Sequence, residues 1–309
     1  MIINTGSRTD IPAYFSEWFY NRIKAGDVCV RNPYYPNQVQ RYRLTPEVVD
    51  CLVFCTKNPA PMLPRLRELS QFRQFWGVTI TPYGKEIEPN VPDKDAVMDS
   101  FIRLSQSVGV QAVSWRYDPI FISEKYSVAF HIEAFAKMAE KLSGYTDNCV
   151  ISFIDLYEKT KRNFSAVKEV SRTDRERLAQ EFVRIGKQYG IQIRTCCEGT
   201  ELETFGVDVS GCMTQSVIER AIGGSLQVPK SKKSVREGCE CLLGNDIGMY
   251  NTCSHGCIYC YANYDYETVK QNYKLHQVDS PFLIGGFLPE DEVKDAKQES
   301  YYVGQMSLF

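Results

Sequence analysis

Short β-rich runs alternate with longer amphipathic runs along most of the chain. The predicted strands span 2–5, 51–55, 76–81, 111–117, 149–154 and 191–195. Between them, helical periodicity covers 14–25, 61–72, 94–108, 126–142 and 173–189. This alternation is typical of βα units joined into one parallel sheet. We therefore predict an α/β fold, built as a full or partial (β/α)6 TIM-like barrel.

The length of 309 residues fits one large domain or two small ones. We expect a barrel core over 1–228, a cysteine-rich segment over 229–264 that completes the barrel, and a C-terminal extension over 265–309. The net charge is only -2, so any nucleic-acid binding requires a local basic patch. The chain start has no signal-peptide pattern and no segment has the roughly 18 apolar residues of a membrane helix, so we expect a cytoplasmic protein without membrane contact.

Period-two alternation in the fourth predicted strand separates polar from apolar side chains. The polar set is Ser114, Arg116 and Asp118, and the apolar set is Val113, Trp115 and Tyr117. If the apolar set faces the helices, the polar set faces the barrel interior. A similar alternation pairs Thr79 with Thr81, and Cys55 with Lys57, near the strand ends where such barrels bind ligands. Arg116 and Asp118 are thus predicted catalytic residues, and an internal structural ion pair fits the pattern equally well.

Eight of the 12 cysteines lie between Cys196 and Cys260. A reducing cytosol disfavours disulfides, so clustered thiols are better interpreted as metal ligands. Cys253, Cys257 and Cys260 have the spacing Cys-x3-Cys-x2-Cys, which lets one loop hold a [4Fe-4S] cluster with one iron left open. If His255 is a fourth ligand, the same loop forms a structural Cys3His zinc site instead.

This loop, with Tyr259 immediately before its last cysteine, resembles the cluster loop of the radical S-adenosylmethionine enzymes. The resemblance implies a barrel of six βα units, a [4Fe-4S] cluster that binds S-adenosylmethionine, and a 5′-deoxyadenosyl radical that removes hydrogen from a substrate. It also implies adenine contact by Tyr259 and an electron donor such as flavodoxin or ferredoxin. In that superfamily the loop usually follows the first strand. Its position here implies circular permutation, with a strand near 247–250 beside the N-terminal strand.

Short motifs in the first 120 residues resemble one branch of that superfamily, the spore photoproduct lyases and their relatives. They are Ser7-Arg-Thr-Asp10, Thr56-Lys57 and Asp118-Pro-Ile120. The resemblance implies that Ser7 and Lys57 contact the amino-acid moiety of the cofactor, and we place Asp10, Thr79 and Thr81 in the same site. Ordinary polarity at a barrel mouth is the alternative. The whole chain also resembles a bacterial family of unknown function with a C-terminal cysteine cluster.

A second cysteine set consists of Cys197, Cys212, Cys239 and Cys241. Four thiols would complete an auxiliary iron-sulfur cluster or a structural zinc site, and unligated cysteines are a third possibility. Cys196 can replace Cys197, because adjacent residues on a strand face opposite ways.

The sequence ends in Gln305-Met-Ser-Leu-Phe309 after a charged run over 289–300. This pentapeptide resembles the motif by which bacterial replication and repair proteins bind the sliding clamp, and the alternative is that it packs on this same protein. The segments from Tyr34 to Arg43 and from Lys230 to Arg236 are predicted nucleic-acid contacts.

We therefore expect a radical S-adenosylmethionine enzyme in nucleic-acid repair or modification. The alternatives are a radical enzyme acting on a peptide, protein or small metabolite, and a non-catalytic zinc-stabilised binding module.

Overall fold

A parallel sheet of seven strands organises the protein, as seen in a computed structural model that describes residues 1–164, 167–229, 239–242 and 244–303. In sheet order the strands are β10 (Asn245–Asp246), β1 (Ile2–Asn4), β4 (Cys51–Thr56), β5 (Gln74–Thr79), β6 (Val113–Ile120), β7 (Asn148–Phe153) and β8 (Gln192–Thr195). The predicted α/β class and parallel sheet are confirmed.

The strand that precedes the cysteine-rich loop pairs with the N-terminal strand. Ile3 of β1 lies opposite Asn245 of β10, and on its other side opposite Leu52 of β4. The predicted strand near 247–250 therefore exists, but it lies slightly earlier in the chain. The strand of this sheet that comes last in the chain, β10, thus occupies one edge of the sheet, beside β1.

The helices lie between the strands and after them. They are α1 (Ile11–Tyr14), α2 (Ser16–Ala25), α3 (Lys94–Val108), α4 (Val128–Leu142), α5 (Glu158–Asn163), α6 (Arg172–Tyr189), α7 (Gln215–Ile222) and α8 (Tyr266–Lys274). The predicted α-helix over 61–72 is wrong, because Ala60–Leu69 is a 3-10 helix that contains Pro64. Proline lacks the amide donor that an α-helix interior requires. Within the described ranges, no helix has the length and apolar character needed to cross a membrane.

The two faces of the sheet differ as the alternation in β6 predicts. Trp115 belongs to the main apolar core with the helices and stacks on Phe135 of α4 at a centroid distance of 4.8 Å. Arg116 and Asp118 alternate with these residues and point to the opposite face, which we call the inner face. Near the amino ends of the strands, α7 covers the inner face through Val217 and Ile218. That helix was not predicted.

A hairpin and the C-terminal segment form smaller sheets. The chain after α2 forms a hairpin of β2 (Asp27–Arg31) and β3 (Gln38–Arg43), and β11 (Glu292–Asp295) pairs in parallel with β3. The charged run is therefore partly a strand, because its backbone pairs with the open edge of β3. β12 (Tyr302–Val303) pairs with β9 (Ser225–Leu226). The predicted clamp-binding segment Gln305 to Phe309 and the predicted contact segment Lys230 to Arg236 lie outside the described residues.

Candidate functional site

The cysteine loop, residues 251–264, lies beyond the carboxyl ends of the central strands. Its two ends are joined by a hydrogen bond from Asn251 N to the Ala262 carbonyl, at 3.1 Å. Ile258 N donates to the Ile87 carbonyl at 3.1 Å, and Asn90 N donates to the His255 carbonyl at 3.0 Å. The loop is therefore bound to the segment that follows β5, which fixes it over one part of the sheet.

Cys253, Cys257 and Cys260 are near enough in this loop to influence one another's ionisation. Burial raises the pKa of Cys253 well above its ordinary value, with further increases from Asp10 and from the other two thiols. Burial also raises the pKa of Cys257 to about 12, and the nearby Lys57 ammonium opposes this rise. Cys260 Sγ accepts a hydrogen bond from Ala262 N at 3.3 Å.

The chemistry of these donors fits a metal cluster. Thiols bind metals as thiolates, and buried thiols ionise readily only beside a strong positive charge such as metal ions provide. In a [4Fe-4S] cluster each cysteine binds a different iron, so the thiols need not converge on one point. Within the described ranges, no three His, Cys, Asp or Glu side chains are placed to hold a single metal ion. Metal binding at this loop therefore stays a prediction.

His255 holds the loop in place through both ring nitrogens. Its Nδ1 lies 3.0 Å from the Tyr14 hydroxyl and its Nε2 lies 2.8 Å from Asp10 Oδ2. His255 is only 3% exposed, and both of its ring nitrogens already have a hydrogen-bond partner. These contacts favour a set of three thiols over a Cys3His zinc site.

Asp10 joins three parts of the site. Its Oδ2 accepts from Lys57 N at 2.7 Å as well as contacting His255, and its Oδ1 accepts from Ala13 N at the start of α1. Asp10 was predicted to bind the cofactor directly. In the structure its contacts connect β4, α1 and the cysteine loop.

Glu88 is the residue that sequence reasoning missed. Its carboxylate has no solvent exposure and accepts from Lys57 Nζ at 2.8 Å, from Thr81 Oγ1 at 2.8 Å, from Lys94 Nζ and from the Tyr259 hydroxyl. Burial alone would raise the pKa of Glu88, but the two ammonium groups lower it to about 2. Nothing in the sequence separates Glu88 from Glu86, which is exposed and pairs with Lys125. Three predicted cofactor residues, Lys57, Thr81 and Tyr259, thus meet at a carboxylate that was not predicted.

The other predicted cofactor residues lie on neighbouring strand ends. Ser7 follows β1, where its Oγ accepts from Asn4 Nδ2 at 2.5 Å and its N donates to Asp246 Oδ2 at 2.7 Å. The Tyr261 hydroxyl of the cysteine loop donates to the Ser7 carbonyl at 2.7 Å. Thr79 is the last residue of β5 and pairs in register with Arg116.

Arg116 and Asp118 form the internal ion pair that the alternation permits. Arg116 Nη2 lies 2.5 Å from Asp118 Oδ2, and the other oxygen of Asp118 accepts from Ser152. Gly77 on β5 faces this pair, since a Cβ there would lie 3.3 Å from Arg116 Cδ. The pair therefore lies on the inner face, close to the backbone of β5.

A family model for a domain of unknown function, DUF1848, matches residues 2–262. The chain belongs to that family. The matched region contains the central sheet and all three cysteines of the loop, whereas α8, β11 and β12 follow it. No curated protein matches the chain.

This DUF1848 protein has a second thiol group on the inner face. Cys212 Sγ lies 3.4 Å from Cys196 Sγ and 3.4 Å from Cys241 Sγ. Cys196, the alternative to Cys197 in the predicted set, supplies this contact, and the backbone turns at the next residue, Cys197, with φ of 60°. Cys239 packs against the same apolar cluster. Hydrogen bonds with Cys196 and Cys241, together with Arg116, lower the pKa of Cys212 well below its ordinary value.

Proposed function

We propose that this protein is a radical S-adenosylmethionine enzyme, built on a circularly permuted partial (β/α)6 barrel. The observation that carries the proposal is that the loop with Cys253, Cys257 and Cys260 is bound to the segment after β5, while its His255 is held by Asp10 and Tyr14. The thiolates of Cys253, Cys257 and Cys260 would hold a [4Fe-4S] cluster, which, once reduced by an external electron donor, would supply the one electron that splits S-adenosylmethionine into methionine and a 5′-deoxyadenosyl radical.

The residues around the loop suit the amino-acid part of that cofactor. Lys57 and Lys94 share the single carboxylate of Glu88, so the network has two positive charges and one negative charge. Glu88 keeps the Lys57 ammonium in position, and the charge balance favours a carboxylate ligand. Burial lowers the pKa of Lys57, but Glu88 and the Cys257 sulfur reverse this effect and raise it. Tyr259 is anchored by the same carboxylate, which supports its proposed place beside the adenine.

The substrate would occupy the inner face beside Arg116 and Asp118. We propose nucleic acid as the substrate class, in repair or modification. Two motifs that resemble those of the spore photoproduct lyases support this, because Ser7-Arg-Thr-Asp10 follows β1 and Thr56-Lys57 stands at the end of β4, the adjacent strand. Asp118 of the third motif lies on β6 at the same side of the sheet.

The test is metal and product analysis after anaerobic purification and reconstitution. The wild type should contain about four irons in the loop cluster, absorb as a brown protein, and form 5′-deoxyadenosine from S-adenosylmethionine with dithionite. Replacing Cys253, Cys257 and Cys260 by Ala should abolish both iron at this site and product. Cys29→Ala is the matched control, because Cys29 lies in the separate hairpin cluster with Val39 and Phe282. Stoichiometric zinc without iron, or product formation by the triple variant, would contradict the proposal.

The second thiol group is proposed to bind an auxiliary metal, as an iron-sulfur cluster or as zinc. Cys212 and Cys241 are almost fully buried and converge with Cys196 from three separate segments of the chain. A Cys212→Ser, Cys241→Ser double variant should lose this metal and keep the loop cluster, and the identity of the lost metal decides between the two forms. Unchanged total metal in the double variant would leave these residues as an unligated thiol group.

A further inference from the structure

Four exposed tyrosines lie in the cysteine loop or next to it. Tyr157, Tyr261, Tyr264 and Tyr266 are 46%, 51%, 53% and 44% exposed, and we call them the tyrosine rim. Tyr261 directly follows Cys260, and its ring lies 6.3 Å from that of Tyr157. Asn90 Nδ2 donates both to the Tyr266 hydroxyl at 3.0 Å and to the Ser254 carbonyl at 2.8 Å. The rim is therefore attached to the loop that carries the three thiols.

Positive groups lie against these aromatic rings. The Arg162 guanidinium lies 4.8 Å from the Tyr264 ring centroid and donates to the Tyr264 carbonyl at 2.5 Å. Lys270 Nζ lies 5.2 Å from the Tyr266 ring centroid. Four acids lie in the same segments. Asp155 accepts from the Tyr157 hydroxyl at 3.0 Å and Glu158 pairs with Lys161, while Asp265 caps α8 through Thr268 and Glu267 pairs with Lys270. Two rings of the rim, Tyr264 and Tyr266, thus each have a cation beside them.

The surface predicted from sequence for nucleic acid is less suitable. In the hairpin, Arg31 pairs with Asp291, and Arg41 Nε lies 2.6 Å from Asp295 Oδ1. Both acids come from the C-terminal segment around β11. Phosphates would have to displace both carboxylates, whereas Arg162 of the rim contacts Asn163 and the Tyr264 carbonyl, so we place the phosphate contact at Arg162.

We propose that the tyrosine rim binds single-stranded nucleic acid and presents one of its bases to the inner face. The proposal rests on the proposed function and specifies its substrate class. Unpaired bases stack on exposed aromatic rings, while Arg and Lys neutralise the backbone phosphates. A duplex offers mainly phosphates and groove edges to such rings, so it binds more weakly. Because the chain has a net charge of -2, binding depends on this local patch.

The test is fluorescence anisotropy with a labelled oligonucleotide of about 12 nucleotides at roughly 50 mM salt. The wild type should bind the single strand more tightly than the matching duplex. Tyr264→Ala should weaken binding about tenfold, as expected for the loss of one stacked base. Arg162→Gln should weaken it and reduce the slope of log affinity against log salt by about one. Phe287→Ala, which removes an exposed aromatic ring far along the chain from the loop, should bind like the wild type.

Several results would overturn the proposal. The first is a wild type that does not bind the single strand, and the second is a wild type that binds duplex equally well. The third is a loss of affinity in Tyr34→Ala, in the hairpin, that equals the loss in Tyr264→Ala.

If Tyr264→Ala keeps its oligonucleotide affinity but is reduced more slowly by flavodoxin, the rim is assigned to an electron-donor protein instead. Melting temperatures exclude unfolding as the cause. Oligonucleotide binding is also measured with the Cys253→Ala variant. Failure of the proposed radical chemistry is detected separately, as a wild type that contains no iron and forms no 5′-deoxyadenosine when oligonucleotide is left out. It is therefore distinguished from failure of the tyrosine rim to bind nucleic acid.

Discussion

Replacing Glu88 by Gln removes the only negative charge that the described contacts place between Lys57 and Lys94. The amide keeps the shape of the carboxylate and can still accept hydrogen bonds from Thr81 and Tyr259. The substitution removes the charged partner that both ammonium groups contact in this buried network. The variant therefore tests the electrostatic role of Glu88 separately from packing.

Two independent estimates give the size of the effect. Breaking a buried ion pair by removing one partner costs about 3–5 kcal/mol. The pKa of Glu88 falls from 4.5 to about 2, a difference worth about 3 kcal/mol for this fully buried group. For a protein of this size that loss lowers the melting temperature on the order of 5–10 °C.

The effect should depend on pH in a defined direction. Because folding lowers the pKa of Glu88, its stabilising contribution is complete above the unfolded value of 4.5 and is lost as the pH falls towards about 2. Thermal unfolding followed by circular dichroism should show that the gap between wild type and Glu88→Gln narrows by about 1 kcal/mol between pH 7 and pH 3.5. Glu86→Gln is the control, since its exposed pair with Lys125 should contribute at most about 1 kcal/mol. Equal stability of wild type and Glu88→Gln at pH 7, or a gap independent of pH, would refute the reasoning.

Two further predictions concern positions away from this network. Gly6→Ala places a Cβ 2.4 Å from both the Cβ and the carbonyl oxygen of Cys55, so thermal unfolding should show that the free energy of unfolding falls by about 1–3 kcal/mol. Gly286→Ala is the control and should be neutral, because its Cβ meets no atom within 4 Å. Equal effects of the two substitutions would contradict the close approach at Gly6. His131 is buried between the Tyr117 hydroxyl and the Phe121 carbonyl, and burial lowers its pKa to about 4, so stability should fall as the pH drops from about 6.5 to 4. In His131→Gln this part of the pH-stability curve should flatten, and an unchanged slope would show that other groups control it.

The regular part of the fold was predictable because local signals and packing agree there. Helix α3 begins and ends where predicted, since Asp93 caps its first turn and Gly109 follows its last residue. The 3-10 helix over Ala60–Leu69 was mistaken for an α-helix because its apolar spacing is helical and only the prolines oppose it. β10 has two residues and no alternation, so its existence depends on pairing with β1.

The candidate site shows the same division between local and tertiary signals. The spacing of Cys253, Cys257 and Cys260 is visible in sequence because one loop carries all three. The contacts of Glu88 come from four different segments, and no local pattern separates it from Glu86. The choice of Cys196 over Cys197 likewise depends on where β8 ends and on the positive φ that follows.

The position of the loop late in the chain has a consequence for how its thiols are brought together. The strand that leads into it pairs with β1, and the loop is held by Asp10, Ile87 and Asn90, which all lie in the first third of the chain. The spacing of the cysteines is local, but their arrangement depends on these distant partners. A short peptide containing the three cysteines lacks every one of these contacts, so the folded sheet, rather than the loop sequence alone, determines the geometry that a metal cluster would meet.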